Sequence, residues 1–146
     1  MPSFSVLKKR RDFVRISKSG ESFASKTVVV QTAPSGLPEK NGKSRIGYTT
    51  TKKIGKAYIR NRCRRRLRAV AALFFAKYAM PDFDYVLIAR YSTAQADFNS
   101  LCQDLCYAIK KVNSRFLEKE IATQNSDISG DNSDKNVSET LISDNA

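Results

Sequence analysis

The sequence predicts an α/β fold, a two-layer sandwich of a small central sheet and three helices. The order is αββαβα, with room for one more strand. Three observations carry this. Residues 27–32 and 85–89 are β-branched or apolar runs without helical periodicity, and they read as strands. Residues 56–78 and the segment after Asp97 repeat their apolar residues at three- and four-residue spacing, as helices do. Helical and extended segments alternate along the chain, so sheet and helices must pack on one another.

Each element has its own signal. Over residues 7–19, Leu7, Phe13 and Ile16 fall near one helical stripe, and Gly20 is expected to stop the helix in a left-handed conformation. Residues 27–32 form the first strand. Residues 34–42 hold two prolines and two glycines and make a loop. Residues 45–50 form a second strand, polar on one side. The helix over 56–78 ends before Pro81. Residues 85–89 are bounded by charges and read as a buried strand. Asp97 caps a last helix whose stripe is Phe98, Leu101, Leu105, Ile109, Val112 and Phe116.

The chain has 146 residues, 26 of them Lys or Arg and 14 Asp or Glu, for a net charge of +12. That charge is uneven. Residues 1–120 carry 25 basic and 9 acidic side chains, whereas residues 121–146 carry one Lys and five acids. The segment 121–146 is rich in Ser, Asn and Asp and has no aromatic residue, so it is expected to be a disordered acidic tail beside a domain over 1–120. The chain has no histidine. This excludes Ser-His-Asp and Cys-His nucleophiles, His-ligated metals and imidazole acid–base cleavage. No apolar run approaches the roughly 20 residues of a membrane span, and the N-terminus does not read as a signal peptide, so no membrane partner is expected. Three cysteines point to free thiols and a cytoplasmic location. Cys102 and Cys106 have too few companions for zinc, so no metal site is expected in the protein.

The informative stretch is residues 43–68, with eleven basic residues and no acid. On the helix over 56–78, Ile59, Cys63, Leu67, Val70 and Phe74 form an apolar stripe, and arginines take most of the remaining circumference. Arg66 borders the stripe. Lys56, Arg60, Arg64 and Arg68 recur every four residues, repelling each other by about 0.2–0.5 kcal/mol per pair. They also sit near the positive end of the helix dipole. A solvated basic face would carry this cost without return, so an external polyanion is expected. Gly55 before the helix allows close backbone approach by a phosphate, and Arg suits forked contact with its oxygens. Charge alone leaves DNA and RNA open. Phe13, Tyr48, Tyr58 and Tyr91 are candidate stacking surfaces for unpaired bases.

Residues 45–57, RIGYTTTKKIGKA, followed by Arg60-Asn61-Arg62-Cys63-Arg64-Arg65, closely resemble the signature of the bacterial ribonuclease P protein subunit. Leu7-Lys8-Lys9, Asp12-Phe13 and Gly20 resemble its opening helix, and residues 84–90 its last strand; the resemblance covers about residues 7–117. It implies a left-handed βαβ crossover within the sandwich. It implies an accessory RNA-binding subunit of a ribonucleoprotein endonuclease, with the catalytic RNA and precursor tRNA as partners and no protein partner. No catalytic residue is expected in the protein, since the chemistry would belong to magnesium ions held by the RNA subunit.

Carried onto this chain, Lys52, Lys53, Arg60, Asn61, Arg62, Arg65 and Arg68 are the expected RNA contacts, with Lys56 and Arg64 completing the basic face. Phe13 would lie in a cleft holding the 5′ leader of precursor tRNA. Ser17 and Gln31 stand where many relatives have aromatic residues lining that cleft, which points to weaker stacking or its transfer to Tyr48. The alternatives are a ribosomal or general RNA-binding protein and a self-sufficient metal-dependent nuclease. The second is disfavoured by the absence of any acid between Glu39 and Asp82.

Overall fold

A computed structural model describes residues 4–37 and 42–128, with side chains through Thr123. Five strands form one mixed sheet: β1 (Phe4–Val6), β2 (Glu21–Ala24), β3 (Val28–Pro34), β4 (Ser44–Thr49) and β5 (Phe83–Ala89). Their spatial order is β1-β4-β5-β3-β2. β4 runs parallel to β1 and β5, while β3 runs antiparallel to β5 and β2. Three α-helices accompany them, α1 (Arg10–Ser19), α2 (Ala57–Tyr78) and α3 (Phe98–Ile128). Short 3₁₀ turns, Lys52–Ile54 and Tyr91–Thr93, lead into α2 and α3.

Alternation along the strands divides the packing. Val28, Val30, Ile46, Tyr85 and Leu87 point to one face, where they meet Cys63, Leu67, Val70 and Phe75 of α2 and Leu101, Leu105 and Ile109 of α3. Ala33, Val86 and Ile88 point to the other, where Phe13 and Ile16 of α1 cover part of the sheet. The α/β sandwich with three helices is as expected, and its helices lie on both faces of the sheet, α1 opposite α2 and α3. Ser100 N–H donates to Asp97 Oδ2 at 3.4 Å, the expected cap of α3.

Three expectations about individual elements need correction. The sheet has five strands because β1 and β2, of three and four residues, are too short to show periodicity. The β2–β3 turn has no Gly, Pro or Asn; Ser25 closes it by donating its hydroxyl to the Val28 carbonyl at 2.5 Å. Gly20 is extended, with φ −90° and ψ 173°, because α1 passes straight into β2. Its lack of a side chain serves a close approach instead: a Cβ there would meet the Thr32 carbonyl and lie 2.6 Å from the Ile16 carbonyl. Finally, α3 continues to Ile128, eight residues into the segment expected to be disordered, since residues 121–128 contain no Gly or Pro to end it. The rest of that tail, 129–146, lies outside the described residues. The first of two compact units ends at Asn113, and the second begins at Ser114.

Candidate nucleic-acid interface

The basic side chains of α2 divide by the direction in which they leave the helix. Asn61, Arg62, Arg65 and Arg68 are exposed, as are Lys52 and Lys53 of the preceding turn and Lys56 at the helix cap. Gly55, with φ 146°, turns the chain into α2 in a conformation that a side chain would strain. Arg64 and Arg60 are half-buried. Arg64 Nη2 donates to Thr50 Oγ1 at 2.7 Å, whereas Arg60 Nε is buried with no partner among the described residues.

Some of these cations have structural duties that composition hides. Arg62 Nε donates to the Ala94 carbonyl at 3.0 Å. Arg66 Nη1 donates to the same carbonyl at 2.8 Å, and its Nη2 reaches the carbonyl of Ala96. Two arginines thus tie α2 to the turn that precedes α3. Arg66 is a strut, and Arg62 offers only part of its guanidinium to a ligand.

On the opposite sheet face, a cleft of about 330 Å³ lies between α1 and the sheet. Phe13, Ser17, Gln31, Thr49 and Ile88 are among its lining residues, with Arg10 and Lys18 at its rim. Phe13, Ser17 and Gln31 thus meet in this cleft. Gly47 makes the arrangement possible: a Cβ there would come within 2.5 Å of the Phe13 ring. Tyr48 is a correction. It points to the α2 face, where it packs against the main core and its ring lies 5.6 Å below the Arg68 guanidinium. Strand alternation requires this, because Gly47 and Thr49 already face α1. Burial pushes the Tyr48 phenol up, against the downward pull of Arg68. Tyr58 and Tyr91, by contrast, are each 69% exposed.

The position of α1 depends on an ionic clasp that no sequence pattern announces. Asp84, fully buried on β5, accepts from Arg45 Nε at 2.8 Å and Arg45 Nη2 at 2.7 Å. It also accepts from Arg15 Nη2 at 2.5 Å. Asp12 stands 3.6 Å from Arg15 and 3.7 Å from Arg45. The hydrogen bond to Asp84 raises the Arg45 pKa, outweighing the effect of burial. Two guanidiniums and two carboxylates thus hold α1 to β4 and β5.

Among the described residues no three Cys, Asp or Glu side chains gather as metal ligands. The three thiols are free, Cys63 buried and Cys102 and Cys106 half-exposed, and burial raises the pKa of each.

Comparison with known proteins follows the same outline. The ribonuclease P family model matches residues 1–113. The chain is 39% identical over 119 residues to the ribonuclease P protein component of Paramagnetospirillum magneticum, spanning 81% of this chain and 88% of that protein. With the corresponding component of Clostridioides difficile it shares 36% identity over 105 residues, 72% of this chain and 89% of that one. The solved structure of the Thermotoga maritima RNase P protein matches with a TM-score of 0.62 at 29% identity, covering 73% of this chain and 96% of its own. That of the Staphylococcus aureus protein matches with a TM-score of 0.60 at 28% identity, covering 72% and 92%.

Proposed function

Since the chain belongs to the bacterial ribonuclease P protein family, we propose that its α1–sheet cleft holds the 5′ leader of precursor tRNA while the Lys52–Arg68 surface holds the ribonuclease P RNA. Membership makes it the protein component of a ribonucleoprotein endoribonuclease in tRNA processing, associated with that RNA. Membership therefore displaces the general RNA-binding and independent-nuclease readings. The finer assignment rests on the continuity of the two surfaces through β4. Thr49 lines the cleft, and the next residue, Thr50, accepts a hydrogen bond from Arg64 of the basic helix. A strand lying in the cleft passes directly to the surface that carries Lys52, Lys53, Lys56, Arg60, Asn61, Arg65 and Arg68.

The cleft gives leader nucleotides one aromatic wall, Phe13, and otherwise aliphatic and small polar contacts. Recognition there would be tolerant of sequence, with affinity supplied mainly by phosphate contacts. The cations lower repulsion between substrate and RNA subunit, and so strengthen substrate binding. The same reading assigns magnesium to the RNA subunit and places the protein in the cytoplasm.

Reconstitution tests the division of labour. The protein alone should leave precursor tRNA intact, and protein with its cognate RNA should cleave it at low magnesium. Cleavage by the protein alone would refute the proposal. So would a holoenzyme that binds leader-bearing and leaderless tRNA equally well.

A further inference from the structure

A second cationic cavity lies on the far flank of α1. It measures about 510 Å³ and is lined by Lys8, Lys9 and Arg11, with Asp12, Arg15 and Arg45 at its inner wall. The inner wall is already neutral. Arg15 and Arg45 are engaged by Asp84 and Asp12, two charges against two. Lys8, Lys9 and Arg11 are exposed, and none of the ion pairs among the described residues involves them. Three cations with no carboxylate partner among the described residues therefore surround one concave site, a geometry that favours a polyanion.

Its position relative to the leader cleft is set by the strand register. The cleft reaches Thr49 on β4, while the cavity reaches Arg45, four residues or about 13 Å back along the same strand. α1 separates the two sites, and its first turn borders both. Arg10 lines the cleft, and its neighbour Arg11 lines the cavity. The Lys52–Arg68 surface lies at the Thr49 end, so the cavity extends the path in the opposite direction.

We propose that this cavity binds the phosphodiester backbone of leader nucleotides beyond those held in the cleft, the strand crossing the first turn of α1. The inference rests on the leader assignment made above. It gives the protein a second point of contact that shorter leaders do not reach.

The test compares precursor tRNAs with long leaders and with leaders cut to a few nucleotides, using the reconstituted holoenzyme. The Lys8→Ala, Lys9→Ala, Arg11→Ala variant should bind the long-leader substrate about tenfold more weakly. Its log–log salt dependence should flatten by about 2, from three lost phosphate contacts on a single strand. Affinity for the short-leader substrate and for the RNA subunit should not change. The Lys8→Arg, Lys9→Arg, Arg11→Lys variant should restore long-leader binding, which a folding defect in the alanine variant would not predict. Equal losses with both leaders, weakened binding to the RNA subunit, or no loss at all would each overturn the proposal. If the wild-type holoenzyme does not distinguish leader-bearing from leaderless tRNA, the cleft assignment itself fails; discrimination without length dependence in the variant fails only this extension.

Discussion

Replacing Asp84 by Ala removes the acceptor that both Arg15 and Arg45 share. The carboxylate is fully buried and receives three charge-assisted hydrogen bonds, from donors at 2.5, 2.7 and 2.8 Å. Breaking a buried pair by deleting one partner costs about 3–5 kcal/mol. The lower end applies, because the Arg15 side chain is 31% exposed and its guanidinium can turn to water. About 3 kcal/mol corresponds to a fall in melting temperature of about 10–15 °C for a domain of this size. Thermal unfolding followed by circular dichroism gives the value, and a double-mutant cycle with Arg45→Ala isolates the pair. Because the pair is buried, the loss should persist in high salt, where exposed pairs are screened. A loss below about 1 kcal/mol, or a cycle without coupling, would show that Asp84 and Arg45 are not a stabilising buried pair and would refute the reasoning.

Two further predictions test the cleft and the core. Gly47→Val should push the Phe13 ring out of its seat, since even a Cβ comes within 2.5 Å of it; leader affinity should fall about tenfold with RNA-subunit affinity retained, measured by equilibrium binding. Tyr85, whose phenol burial pushes up to about 12, donates to Asn113 Oδ1 at 2.6 Å. Its folded-state pKa is raised, so its stabilisation is complete below pH 10 and is lost as pH rises through about 12. Urea titrations across that window should show a decline of about 2–3 kcal/mol that is missing in Tyr85→Phe, and identical slopes would contradict it.

Much of this architecture is legible in the amino-acid sequence. The apolar spacing of α2 and α3 is long enough to declare a helix, and β5 is buried enough to read as a strand. β1 is not legible, because it acquires its identity from a distant partner: Phe4–Val6 pairs with Ser44–Ile46, some forty residues away; β2 pairs locally with β3, but its four residues are too few to show a pattern. The same distinction governs the site. The run of arginines identifies an anionic partner, but it does not reveal that Arg66 holds two carbonyls while Arg65 faces solvent. The Arg15–Asp84 contact joins residues 69 apart and leaves no local pattern. Tyr48 and Phe13 look equivalent as aromatic candidates, but alternation along β4 turns Tyr48 toward α2 while Phe13, on α1, packs on the other face of the sheet.

That register has a consequence for how such a protein can change. β4 presents Gly47 and Thr49 to the face covered by α1, and Ile46 and Tyr48 to the packing beneath the basic helix. Inserting or deleting a single residue within Ser44–Thr49 would exchange these two sets at once, turning the α1-facing residues toward α2 and the core-facing residues toward α1. Substitution is therefore the route by which this strand can vary. The strand that joins the two surfaces is the one segment where their histories cannot be separated.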